Sequence, residues 1–421
     1  MLIEFNVTNF RSFWETQTLQ MTAGSSVEMS EQNSFASPIQ NLPRLLRSSV
    51  IYGPNAAGKS NLIKALYFMK RFTLSSAQGQ EGEPIPIKPF MFNQDGLSQP
   101  SEFEVIFVAE GVRYQYGFAA NTERVTREWL LAYPQGRVQR WFERVYNLDT
   151  EQDDWYFGSK FSGKKKIWQE ATRANTLFLS AAIQLNSEQL KPVFYWFQHL
   201  VVIRHQDILD PGFSMLQCQT DSGRKSILEF MNKADLSIDD IRCESREFSA
   251  SELPNDLPQD MKNQIAKDMQ GKKSIRVAFG HNIAGTEQST WLPIEEESDG
   301  TRKLFAYAGP WLDGLSEGRV FLVDELDTSL HPYMIRFLLK LLHNNETNKN
   351  NAQLIFTTHD TSVLDQKIMR RDQIWFIEKD KNNASSLYPL SDFKPRQHEA
   401  LGKGYLQGRY GALPYIGEVG F

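Results

Sequence analysis

The octapeptide Gly53-Pro54-Asn55-Ala56-Ala57-Gly58-Lys59-Ser60 constrains this chain more than any other feature. It fits the pattern G-x-x-x-x-G-K-S, with the apolar run Val50-Ile51-Tyr52 before it and Leu62, Ile63, Ala65 and Leu66 at helical spacing after it. A strand, a tight glycine loop and a helix are therefore predicted in that order. Glycines let the loop curl so that successive N–H groups converge on an anion, and the positive end of the following helix adds to the field. Asn55 and Gly58 shape this cradle, Lys59 is placed to reach the β and γ phosphates of a nucleotide, and the Ser60 hydroxyl suits Mg²⁺, which prefers oxygen ligands. By residue frequencies the whole pattern arises in roughly one unrelated chain of this length in a hundred. Its flanks make a ligand-free turn the minor alternative.

Two further apolar runs end in polar residues. Val320-Phe321-Leu322-Val323 reads as a buried parallel strand closing on Asp324-Glu325, and Leu354-Ile355-Phe356-Thr357-Thr358 closes on His359. Open α/β sheets bind ligands at the carboxyl ends of their strands, so these tips are expected beside the glycine loop. There Asp324 would hold the metal, Glu325 would polarise an attacking water, and His359 would hydrogen-bond a γ-phosphate. Ser298 and Gly300 open another predicted helix, whose apolar face runs from Leu304 to Leu315 and which Pro310 is expected to kink. Spacing alone leaves Ser298 equally open to a plain capping role.

The remaining chain suggests appendages. Leu2 to Phe10 and Glu102 to Phe118 alternate like antiparallel strands, Gly24 to Asn41 reads as a loop or edge hairpin, and Leu177 to Ser180 reads as a strand. Helical spacing returns from Ser187 to Leu200, and the polar stretch Arg224 to Gln270 suggests helical pieces at Ile227–Met231 and Asp260–Met269. The expected organisation is an N-terminal lobe over 1–185, a helical insertion over 186–290 and a C-terminal lobe over 291–421. No heptad run supports a long coiled coil.

Composition excludes several classes. No segment approaches the ~18 apolar residues of a membrane span, and two cysteines make no disulfide framework, so a cytoplasmic protein is expected. A net charge of -5 gives no global field for nucleic acid. The clusters Lys164-Lys165-Lys166 and Lys272-Lys273 read more naturally as solvated loops than as DNA contacts.

Taken together, Asn9-Phe10-Arg11-Ser12-Phe13, the loop Gly53 to Ser60 as Walker A, Glu297-Ser298-Asp299-Gly300-Thr301 as a signature, Asp324-Glu325 as Walker B and His359 resemble ABC-type ATPases of the SMC, RecF and OLD class. In particular the chain resembles the compact AAA-15/AAA-21 ATPases of abortive-infection and related phage-defence systems. The resemblance implies an α/β ABC-type P-loop head with a mixed sheet, an antiparallel β appendage and a small helical lobe. It places Arg11 and Ser12 near the nucleotide, makes Asp327 the D-loop residue and His359 the switch histidine, and offers Gln184 as a metal-ligating Q-loop glutamine. It also implies an ATP sandwich, in which Ser298 and Gly300 of one copy close over Mg-ATP held by another. OLD proteins carry a Toprim nuclease for which the stretch after His359 leaves no room, so a separately encoded effector nuclease is the expected partner, with DNA or a phage protein as trigger. A RecF-like DNA clamp and a slowly hydrolysing scaffold are the competing functions.

Overall fold

The computed structural model describes residues 1–204, 210–234, 238–247, 258–269, 273–286, 288–396 and 399–414. Two compact units emerge: Met1–Gln206 with Leu315–Asp327 and Leu338–Phe421, and Asp207–Gly314 with Thr328–Phe337.

The first unit holds two large sheets. One contains six strands, in the order Val201–Ile203, Val320–Val323, Gln353–Thr357, Ser48–Tyr52, Ile374–Lys379 and Ser385–Pro389. All neighbours pair in parallel except the last two, which form an antiparallel hairpin. Every residue of Ser48–Tyr52, Val320–Val323 and Gln353–Thr357 is buried, as in parallel strands covered on both faces. The helix Lys59–Ser75 leaves the end of Ser48–Tyr52 through the glycine loop.

The other sheet is the expected antiparallel appendage. Its seven strands run Gln152–Phe157, Gln139–Asn147, Val125–Tyr133, Val112–Ala120, Ser101–Ala109, Leu2–Thr8 and Gln17–Gln20. Strand Ser101–Ala109 alternates buried and half-buried positions along most of its length, which is the period-two signature of a sheet with one covered face. Phe103, Phe118, Phe68 and Phe72 from this sheet and the helix Lys59–Ser75 pack together, with ring centroids 5.1 to 6.4 Å apart. Burying each such ring contributes about 2 to 3 kcal/mol, so the aromatic seam is a main cohesive element of the unit.

Residues Leu177 to Ser180 do not form a strand. Phe178–Gln184 is a helix, because the fully buried carboxylate of Glu128 accepts the amides of Phe178 at 2.6 Å and Leu179 at 3.0 Å and so satisfies its first turn. Phe178 itself packs on Phe142 and Trp155. Burial pushes the Glu128 carboxyl up to about 7, against the pull of those amides, Arg144 and the Tyr116 hydroxyl. Nearby Arg144, also buried, pairs with Asp153 at 2.7 Å and donates to the carbonyls of Thr176 and Arg173. The predicted helical spacing after Ser187 appears as Lys191–Gln198, inside this first unit. Gly24 to Asn41 holds a short helix, Ser30–Asn33, and the strand Ser34–Phe35, which pairs with Leu45–Leu46.

The second unit carries helices Asp221–Lys233 and Gln259–Met269 where helical pieces were expected. It also contains a three-stranded antiparallel sheet of Asp240–Glu247, Lys273–Asn282 and Ser289–Pro293. The helix Asp299–Glu317 begins here and runs through Pro310 without interruption. Pro310 has no N–H for the Ala306 carbonyl, and the buried hydroxyl of Ser214 enters the helix at that turn, accepting from Gly309 N–H at 2.9 Å, donating to the Phe305 carbonyl at 2.6 Å and lying 3.4 Å from the Ala306 carbonyl. A Cβ on Gly309 would lie 2.7 Å from that hydroxyl, so the wedge requires glycine.

Candidate functional site

Three parallel strands deliver their carboxyl ends to one place. Ser48–Tyr52 runs into the glycine loop, in which Ala56 (φ 61) and Gly58 (φ 114) take left-handed conformations that turn the backbone sharply. Lys59, buried in the first turn of the helix, donates to the carbonyls of Gly53 at 2.8 Å and Pro54 at 3.2 Å. Burial lowers the pKa of its ammonium, while Glu325, Asp324 and Asp327 oppose that shift. A buried cation faced by carboxylates is poised to take an anion's charge.

The tip of Val320–Val323 meets the loop directly. Ser60 Oγ donates to Asp324 Oδ1 at 3.0 Å, so the hydroxyl and carboxylate singled out from sequence stand side by side. The end of Gln353–Thr357 braces this pair in a way that the motifs do not show. Thr357 Oγ1 donates to the same Asp324 oxygen at 2.8 Å and accepts the Glu325 N–H at 2.7 Å. The Thr357 carbonyl accepts Leu326 N–H at 3.0 Å, and Asp327 Oδ2 accepts His359 N–H at 3.2 Å. Glu325 (φ 53) is itself left-handed, a costly turn for a non-glycine residue that this bracing sustains. On the other side Asp324 N–H donates to the carbonyl of Ile203 at 2.8 Å, making the edge strand Val201–Ile203 a further support. Ser60, Asp324 and Thr357 thus form a compact oxygen cluster, the donor type that Mg²⁺ selects.

Ser12 is buried against the loop, where its hydroxyl accepts from Asn61 Nδ2 at 2.8 Å. Arg11 (φ 55) sits on the adjoining turn, donating its N–H to Lys88 O at 2.8 Å, and burial lowers its pKa. Asn55 lies exposed at the crest of the loop and His359 exposed at its strand tip. Arg11, Ser12, Asn55, Gly58, Lys59, Ser60, Asp324, Glu325, Asp327 and His359 all belong to the first unit.

Gln184 does not join them. Its helix is fastened to the far end of Lys59–Ser75, with Ser180 Oγ accepting from Ala77 N–H and Ser76 Oγ from Leu177 N–H. A 17-residue helix separates that end from the loop, about 25 Å at 1.5 Å per residue. The apolar run before Gln184 was too short to distinguish helix from strand, and the inferred ligand falls with the strand.

Ser298 and Gly300 lie in the second unit. Ser298 caps the helix Asp299–Glu317, its hydroxyl accepting from Thr301 N–H at 3.1 Å and exchanging a 2.8 Å hydrogen bond with the Thr301 hydroxyl. Both Ser298 and Asp299 are exposed, and Glu297 is bonded to His281 at 2.6 Å. Lys164 and Lys166 are exposed, Lys165 donates to the Gly158 carbonyl, and Lys272 lies outside the described residues. Among the described residues no helix is long and apolar enough to cross a membrane.

Solved structures similar to this chain include the SMC head domain from Thermotoga maritima, at 15% identity and a TM-score of 0.41 over 92% of this chain and 98% of that one. An SMC head from Pyrococcus furiosus, bound to the C-terminal domain of ScpA, is 11% identical with a TM-score of 0.39, covering 92% and 96%. The recombination mediator RecF is 13% identical with a TM-score of 0.35, covering 92% and 98%. Likeness at that level assigns no function. No curated protein matches the chain by sequence. The family described as "AAA domain, putative AbiEii toxin, Type IV TA system" matches residues 48–190 and 219–365, a span that takes in the glycine loop, Ser298, the Asp324-Glu325 tip and His359. With well over half its length matched, the chain belongs to the AAA_21 family.

Proposed function

We propose that this protein is an ATPase whose Mg-ATP site is built in the first unit and completed by a second copy. The observation that carries the reading is the oxygen cluster of Ser60, Asp324 and Thr357 together with a buried Lys59 on the same loop and helix start. Loop amides and Lys59 would hold the β and γ phosphates, and Ser60 with Asp324 would hold Mg²⁺. Bound magnesium supplies charge neutralisation on the phosphate oxygens. Glu325 would orient and deprotonate the attacking water, His359 would contact the γ-phosphate, and Asp327 would tie that histidine's backbone to the Walker B turn. Ser298 and Gly300, at an exposed and capped helix start, suit contact with a phosphate held by the partner copy.

We further propose, on the resemblance to abortive-infection ATPases, that the nucleotide-dependent dimer controls a separately encoded effector, a nuclease or toxin, during phage defence. The matched family's own description names a "putative AbiEii toxin" of a toxin–antitoxin system. The test is direct. Glu325→Gln is expected to abolish turnover and accumulate an ATP-bound dimer by light scattering, while Lys59→Ala loses Mg-ATP binding. Unchanged Mg-ATP affinity in Lys59→Ala would refute the site, and unchanged turnover in Glu325→Gln would refute its chemistry.

A further inference from the structure

A serine that belongs to no motif closes the underside of the phosphate loop. Ser385 opens the last strand of the six-stranded sheet, after the hairpin that follows Ile374–Lys379, and is only 2% exposed. Its hydroxyl donates to the carbonyl of Ala57 at 2.6 Å, and its N–H donates to the carbonyl of Ser12 at 2.7 Å. Ser12 in turn takes the Asn61 side chain from the first turn of the loop's helix. Three segments distant in sequence are thereby closed into one ring around Gly58. A Cβ on Gly58 would come within 2.6 Å of Ser385 Oγ and 2.7 Å of Ser12 Oγ, so both hydroxyls stand close against the loop where its backbone takes a conformation that favours glycine.

The consequence follows from peptide geometry. A trans peptide unit carries its C=O and its N–H on opposite edges of one plane. Holding the Ala57 carbonyl downward on Ser385 therefore turns the Gly58 N–H upward, to the face on which an anion would sit. We propose that Ser385 is a positioning residue for phosphate binding, setting the Ala57–Gly58 peptide plane without touching the nucleotide. This rests on the reading of the loop as an Mg-ATP site. An amide oriented in advance strengthens ground-state and transition-state binding alike, so its loss is expected in KM and Kd, with kcat little changed.

The experiment uses the full chain, with Mg-ATP titrated by calorimetry and hydrolysis followed at steady state. Ser385→Ala is expected to raise Kd and KM together by about fivefold to thirtyfold, the range for one lost hydrogen bond and a misdirected amide. It should keep kcat within about twofold, as expected for lost uniform binding. Ser385→Cys, nearly isosteric but a weak donor, should fall between the parent and Ser385→Ala. The melting midpoint without nucleotide should stay near that of the parent, which separates positioning from general destabilisation. Parent-like Kd and KM in Ser385→Ala, or a fall in kcat at unchanged KM, would overturn the proposal while leaving the ATP site standing. A parent chain whose Mg-ATP binding survives Lys59→Ala would instead overturn the site and this inference with it.

Discussion

Replacing Thr357 by valine keeps the shape of a fully buried side chain and removes one oxygen. That oxygen makes two bonds, donating to Asp324 Oδ1 at 2.8 Å and accepting Glu325 N–H at 2.7 Å. A hydrogen bond to a charged group contributes about 1.5 to 3 kcal/mol, and a buried amide left without a partner costs about 1 to 3 kcal/mol. The two losses share one site and do not add fully. A net effect of roughly 3 kcal/mol on the placement of the two carboxylates corresponds to about a hundredfold in turnover. Steady-state hydrolysis should show that fall in kcat for Thr357→Val, with a raised Mg²⁺ requirement, and Thr357→Ser should recover most of it. Parent turnover in a folded Thr357→Val chain would refute the idea that this hydroxyl sets the Walker B tip.

Gly58→Ala places a Cβ 2.6 Å from Ser385 Oγ at φ 114, and should weaken Mg-ATP binding more than tenfold, given about 1 to 3 kcal/mol for the backbone alone. Parent affinity by calorimetry would show that the loop relaxes freely. Arg144→Met leaves Asp153 with Arg124 as its remaining ion-pair partner and takes a charged donor from the Thr176 and Arg173 carbonyls, and should lower urea-unfolding stability by about 2 kcal/mol; a shift under 1 kcal/mol would contradict the role of these hydrogen bonds. Two buried groups should tilt stability with pH in opposite senses. His343, lowered to about 3 by burial and Arg47, favours folding above its ordinary 6.5 and loses that stability as pH falls. Glu128, raised to about 7, favours folding below its ordinary 4.5 and loses that stability as pH rises through 7. Between about pH 4.5 and 6.5 the slopes, each about 1.4 kcal/mol per unit, cancel in the parent. Denaturant melts across that range should fall more steeply with acid in Glu128→Gln and rise with acid in His343→Gln; parallel profiles for all three chains would disprove the pairing.

What could be seen in advance was what short-range pattern encodes. The strand, loop and helix around Lys59 follow from eight residues and their flanks, and the strands ending at Asp324 and Thr357 announce themselves as uninterrupted apolar runs. Leu177 to Ser180 misled because the deciding contact, the Glu128 carboxylate on two amides, comes from a strand about fifty residues earlier. Pro310 suggested a kink, and only the fold shows Ser214 supplying hydrogen bonds at that turn. Thr357 and Ser385 carried no signal, since a hydroxyl gains its role from whatever tertiary structure sets against it.

The order of strands in the six-stranded sheet bears on how the protein is made. Ser48–Tyr52 lies between Gln353–Thr357 and Ile374–Lys379, so the strand that feeds the loop, encoded in the first eighth of the message, has no partner strand until the last sixth is translated. The antiparallel sheet, complete by Phe157, is free to form on the ribosome long before that. Parallel pairing over such sequence distances folds slowly. A nascent chain would therefore complete the proposed phosphate site only near release, and a product truncated before the last strands is expected to lack it.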